Sequence, residues 1–219
     1  ELESEGFEVT YLPVDEYGVV SIAELMHNIR KDTILISIMA VNNEVGTIQN
    51  IKAIGMTAKE KNIYYHVDAV QALGAVKLDV QDMQIDAMSI SSHKIYGPKG
   101  LGALCVKNGA KLRPLLLGGG QEGGLRSGTE NIASIMAFYE ACKQIDIKRD
   151  YAHVLSLRKA LIQELKDVKF EINGNGSPYV LSLSFDGIRG ETLMNMCQDK
   201  DVIFGLGSAC SSKKVGNRV

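Results

Sequence analysis

Short apolar runs alternate with amphipathic stretches along most of the chain. Phe7 to Val14 predicts a strand that runs into a turn. From Ser21 to Arg30, Ile22, Leu25, Met26 and Ile29 recur at helical spacing behind Ser21, with Glu24 three residues on. That is the pattern of a capping box at a helix start. Thr33 to Val41 predicts a buried strand, Ile51 to Lys61 a helix, and Ile63 to Val67 a second short strand. Ile85 to Ile90 and Leu101 to Val106 complete the series. Strands and helices at this spacing argue for an α/β fold, a mainly parallel sheet with helices on both faces.

From Asn131 to about Leu165 the pattern is helical, interrupted by the charged stretch Asp146 to Asp150. Strands near Lys169 to Ile172 and Val180 to Phe185, a helix from Glu191 and a strand around Val202 follow. The break predicts a large α/β domain over 1–145 and a smaller α+β domain over 146–219. No internal repeat or low-complexity segment is present.

Composition narrows the function classes. Among 219 residues, 45% are apolar and 23% charged, values of a folded globular chain, which excludes a mainly disordered one. At this length roughly 70% of the unfolded surface can be buried, so a core needs neither disulfide nor metal. A net charge of -2 gives no reason to expect nucleic acid or an anionic membrane as partner. Cys105, Cys142, Cys197 and Cys210 are widely spaced with no C-x-x-C pair, so no metal site or disulfide framework is expected. The chain opens at Glu1 without an initiator Met or an apolar leader. A reducing compartment is the expectation, cytoplasm or an organellar matrix.

In a parallel α/β sheet, ligands bind beyond the carboxyl ends of the strands. Those ends carry Asn42-Asn43-Glu44-Val45-Gly46, then Asp68-Ala69-Val70-Gln71, then Ser91-Ser92-His93-Lys94. Each alone reads as a polar loop start; together they predict a site on one edge. Lys94 follows a strand directly and precedes a turn rich in Gly and Pro. It is either an ordinary solvated lysine or a desolvated amine able to form a Schiff base with an aldehyde. Asp68 is either a cap for the turn behind it or the carboxylate that keeps a pyridine nitrogen protonated.

Glycine is high at 22, and ten of these lie between Gly97 and Gly128. Gly118 to Gly123 matches G-x-G-x-x-G, but more loop follows before any helix, which argues against a dinucleotide site. A loop offering Arg126, Ser127 and Thr129 to a phosphate or a partner chain fits better. Cys105 and Cys142 sit among apolar residues and read as buried. Cys210 lies instead in the small, polar Gly205 to Ser212 segment with Lys213 and Lys214 behind it. Nearby cations favour a thiolate; the plainer alternative is an incidental surface thiol.

Asn43, His66-Val67-Asp68-Ala69-Val70-Gln71, Ser91-Ser92-His93-Lys94-Ile95-Tyr96-Gly97-Pro98-Lys99-Gly100, Arg126-Ser127-Gly128-Thr129 and Gly207-Ser208-Ala209-Cys210-Ser211-Ser212 resemble the signatures of group I cysteine desulfurases. These are class V members of the fold-type I pyridoxal-phosphate enzymes. The motifs run in order through nearly the whole chain, and the cysteine segment differs from that of group II. The resemblance implies that Lys94 binds pyridoxal 5'-phosphate and then moves protons, while Asp68 faces the pyridine nitrogen. It implies Gln71 on the phenolic oxygen with Asn43 nearby, and Ser91 and His93 on the phosphate. Thr129 would reach the cofactor of a partner subunit in a homodimer.

The Cys210 thiolate would take sulfur from L-cysteine as a persulfide, leave L-alanine, and pass the sulfur to an acceptor such as an iron–sulfur scaffold protein. Full-length members of that family also carry an N-terminal segment with a phosphate-binding Ala-Thr pair and a ring-stacking histidine, and a C-terminal arginine for the substrate carboxylate. Neither is found here, so the expectation is a chain lacking both ends. A selenocysteine lyase or aminotransferase of the same family would keep Lys94 and Asp68 without needing Cys210. A truncated, non-catalytic scaffold or dimerisation chain is the non-enzyme alternative.

Overall fold

A computed structural model describes residues 2–207. In chain order the helices are α1 (Ile22–Asn28), α2 (Ile51–Glu60), α3 (Ile132–Lys143), α4 (Ile147–Glu164) and α5 (Gly190–Gln198). The strands are β1 (Leu35–Met39), β2 (Tyr64–Asp68), β3 (Ala87–Ser91), β4 (Gly102–Val106), β5 (Glu171–Asn173) and β6 (Ser182–Ser184). The chain forms two compact units. One comprises residues 29–40 and 50–147, the other 1–28, 41–49 and 148–219.

The first unit holds a four-stranded sheet in the order β1-β2-β3-β4. Strands β1, β2 and β3 are parallel, with Met39 opposite Asp68 and Asp68 opposite Ser89. Their carboxyl ends therefore lie on one edge. Parallel neighbours need a crossover of a dozen or more residues. Between β1 and β2 that crossover contains α2, begun by Asn50, whose side chain accepts from the Ala53 N–H. Ile51, Ile54 and Ala58 on α2 are buried, as are Tyr65 and Val67 on β2. Burial of each large side chain contributes about 1.5–3 kcal/mol. Because strand side chains alternate, the opposite face carries Tyr64, His66 and Asp68. There Leu35, Met39 and Tyr64 are exposed.

Strand β4 runs antiparallel to β3, Ser91 facing Gly102. The ten residues from Ser92 to Leu101 are too few for a crossover but suffice for a reversal. The sheet is thus mainly parallel with one antiparallel edge. Cys105 on β4 is exposed, contrary to the expectation from its apolar neighbours. An edge strand with an uncovered face leaves side chains in water whatever their sequence context.

In the second unit α1 starts behind Ser21, whose hydroxyl accepts from the Glu24 N–H at 3.4 Å. Thr47 is fully buried; its hydroxyl donates to the Tyr17 carbonyl and accepts from the Asn175 N–H at 3.2 Å. Strands β5 and β6 form an antiparallel pair, with the Phe170 and Phe185 rings tilted against each other at 6.1 Å beside it. Phe7 to Val14 is not a strand: only Val14 pairs, in a single bridge to Val20. The apolar pattern is there, but no neighbouring strand meets it. Residues 202–205 are likewise not a strand among the described residues. Instead the Val202 N–H donates to the Cys197 carbonyl at 3.1 Å, folding the chain back over the end of α5.

The helical stretch after Asn131 breaks only at residues 144–146, because charge does not stop a helix. Arg149 and Asp150 sit inside the first turn of α4 as an ion pair at 2.7 Å.

Candidate active site

Asp68 is the last residue of β2, and its Oδ1 accepts the Val70 N–H at 3.0 Å. This is the turn-capping role that the sequence left open. The Asp68 carbonyl accepts from Ala40 N–H at 2.8 Å, and Ala69 N–H donates to the Ser89 carbonyl at 2.9 Å. The ends of β1, β2 and β3 are therefore laced together. Gln71 lies half-buried in the turn that follows β2.

Ser91 ends β3, its hydroxyl 2.7 Å from His93 Nδ1. One tight helical turn, Ser92–Ile95, then carries His93 and Lys94. It closes at Tyr96, which is in the left-handed region at φ 66° and ψ 13°. A bulky residue held there stores about 1–2 kcal/mol of backbone strain. The Gly97 N–H donates back to the Ser92 carbonyl at 3.0 Å. His93 and Lys94 are both exposed, so of the two alternatives that the sequence left for Lys94 this structure shows the solvated amine. The tight turn lifts the amine off the sheet edge instead of sinking it into the core.

Beneath the turn, Ser92 is fully buried and its hydroxyl has no hydrogen-bond partner among the described residues. A side chain at Gly97 would occupy the space of that hydroxyl. An unpaired buried hydroxyl costs roughly 1–3 kcal/mol, so removing it with its small volume should not weaken the fold. Ser92→Ala is expected to hold or raise the thermal midpoint by about 2–4 °C. A clear drop in a melting scan would mean that the hydroxyl is satisfied after all.

His66, two residues before Asp68 on the same sheet face, bridges both neighbouring strands. Its Nδ1 is 2.8 Å from Ser37 Oγ on β1, and its Nε2 is 2.8 Å from Ser89 Oγ on β3. Burial holds its pKa below the ordinary histidine value, with the nearby Asp68 charge opposing. The imidazole is neutral at neutral pH. The sequence assigned no role to these three residues, although His66 opens one of the motifs quoted above. The signal was present, though: a polar side chain at the centre of each of three consecutive strands.

Thr129 is exposed at the end of the glycine-rich loop. That loop is ordered by a bridge between Leu116 and Arg126 and by the Gly128 N–H donating to Gln121 Oε1 at 3.1 Å. Only a single turn, Glu122–Gly124, follows Gly118 to Gly120, with Gly123 in the left-handed region. No helix starts there to face a dinucleotide. Asn43 belongs to the other unit, beside Asn42, whose Oδ1 accepts the Glu44 and Val45 N–H groups. Cys210 lies outside the described residues.

The structure thus brings together Asp68, Ser91, His93 and Lys94 at adjacent strand ends, with Gln71 behind Asp68. The set comprises a primary amine, a carboxylate and a hydroxyl–imidazole pair held by a 2.7 Å contact. Among the described residues no group of three or more His, Cys, Asp and Glu could hold a metal ion. No described helix is long and apolar enough to cross a membrane.

Comparison with known proteins gives a consistent picture. The profile of the family described as Aminotransferase class-V matches residues 1–218. A cysteine desulfurase IscS of Clostridium botulinum (strain Hall) is 48% identical over 221 residues, covering 96% of this chain and 55% of the relative. One from Methanosarcina thermophila is 47% identical, covering 98% of this chain and 54% of the relative. A solved NifS-like protein superposes with a TM-score of 0.88 at 40% identity, over 92% of this chain and 57% of that one. The chain spans about half the length of the curated relatives it matches.

Proposed function

The chain belongs to the class-V aminotransferase family, and on that premise we propose that it is part of a pyridoxal-phosphate-dependent cysteine desulfurase. The observation that carries this reading is the placement of Asp68, Ser91, His93 and Lys94 at the adjacent ends of two parallel strands. Its relatives named cysteine desulfurase, at 43–48% identity, support the same reading.

In this proposal Lys94 would hold pyridoxal phosphate through its amine and would move a proton to and from the substrate. Asp68 would pair with the ring nitrogen and Gln71 would bond the phenolic oxygen, and Asn43 is a further candidate to hold the cofactor. Ser91 and His93 hold the phosphate, their mutual hydrogen bond fixing both side chains before anything binds. Thr129 extends to the phosphate site of a second copy in a homodimer. Bound pyridoxal phosphate supplies an electron sink for the carbon from which the proton is taken. The Cys210 thiolate attacks the sulfur of L-cysteine. The substrate carbon–sulfur bond breaks, a sulfur–sulfur bond forms, and L-alanine leaves while Cys210 keeps the persulfide. A protein acceptor then takes that sulfur, and an iron–sulfur scaffold is one such acceptor. The expected location is the cytoplasm or an organellar matrix, where thiols stay reduced.

The native protein should release alanine from L-cysteine in the presence of a thiol, one alanine for each sulfide. Cys210→Ala should lower sulfide release by about a hundredfold or more while cofactor binding persists. Equal rates for the two proteins would remove Cys210 from the reaction.

A further inference from the structure

In the strand register His66 stands opposite Ser37 on β1 and Ala87 on β3, and its ring reaches diagonally to Ser89, the residue opposite Asp68. A neutral imidazole has one donor and one acceptor nitrogen. Both 2.8 Å contacts are therefore satisfied only if one serine hydroxyl donates to the ring and the other accepts from it. The three side chains form one directed chain of hydrogen bonds. It pins the central strand to both neighbours through side chains, in addition to the backbone ladder.

The strand end above it has little else to aim it. Asp68 Oδ1 is taken by the Val70 N–H. Its Oδ2 has no hydrogen-bond partner among the described residues. Where that oxygen points thus depends on the pleat and twist of β2 at residues 66–68. A neutral His66 also leaves the carboxylate without a competing cation two residues away.

We propose that His66, clamped between Ser37 and Ser89, is a positioning residue that aims the Asp68 carboxylate at the cofactor ring nitrogen. This rests on the cofactor reading above. His66 touches neither substrate nor cofactor in it and acts only through Asp68. If the clamp is lost, a carboxylate free to turn should share the ring proton less well.

The test uses the native holoenzyme loaded with pyridoxal phosphate labelled with nitrogen-15 in the ring. His66→Phe is expected to move the ring-nitrogen resonance toward the value of an unprotonated pyridine. It should also weaken cofactor binding about tenfold, the scale of one charge-assisted hydrogen bond. His66→Gln, which keeps one donor and one acceptor, should retain most of both properties. If His66→Phe does not fold, the double variant Ser37→Ala/Ser89→Ala keeps the ring and removes its partners. It should shift the resonance in the same direction. A variant that folds, fixes cofactor to Lys94 under borohydride, and shows an unchanged resonance and affinity overturns the proposal. Wild-type protein that fixes no cofactor to Lys94 overturns the cofactor reading first, and this inference with it.

Discussion

Lys94→Ala is expected to abolish the covalent capture of pyridoxal phosphate and to lower alanine release from L-cysteine about a thousandfold or more. The wild-type protein, mixed with the cofactor and reduced with borohydride, should carry one label on the peptide containing Lys94. The variant should carry none. The argument is geometric: Lys94 is exposed on the turn that directly follows β3, with Ser91 and His93 at its base and Asp68 at the neighbouring strand end. Lys99 lies five residues on and is also exposed, and it serves as an internal comparison. Labelling of Lys99 in place of Lys94, or full turnover by the variant, would overturn the assignment.

Gly55→Ala on α2 is expected to destabilise the protein by about 2–4 kcal/mol, although alanine is the better helix former by about 1 kcal/mol. Gly55 is buried in the helix that covers the sheet. A Cβ there would run into the Met83 carbonyl, a backbone atom, and would stand 3.2 Å from the Tyr65 ring. A flexible side chain could yield, but a carbonyl fixed in a turn cannot. The helix would have to lift off β2 and loosen the packing of Tyr65 and Val67, both fully buried. The clash therefore outweighs the propensity gain. In a melting scan the midpoint should fall by about 5–10 °C. A rise would show that the gap between α2 and the 83 turn is wider than the packing here implies.

Much of the first unit was legible from sequence because its signals are local. The apolar runs of β1 to β4 and the helical pattern of α2 depend on nearest neighbours and on burial of one face. The elements that failed were those whose existence needs a partner. Phe7 to Val14 has a strand's pattern but only one bridge, and the Val202 segment is used to close α5. Cys105 misled for a related reason: its neighbours are apolar, but its strand lies at the sheet edge. The division into units is equally non-local. Residues 1–28 and 41–49 group with the C-terminal part, a clustering that no composition change along the chain announces.

The candidate site divides in the same way. The sequence by itself determined which side chains stand at strand ends, since a strand stops where its apolar run meets polar turn residues. Asp68, Ser91, His93 and Lys94 follow from that alone. Only the tertiary structure decided how they meet. The parallel register sets Asp68 beside Ser89, and the one-turn helix after Ser91 holds Lys94 out in solvent. Across the same sheet His66 bonds the serine opposite it, 29 residues before, and one diagonal to it, 23 residues after, contacts that form only once three strands lie side by side.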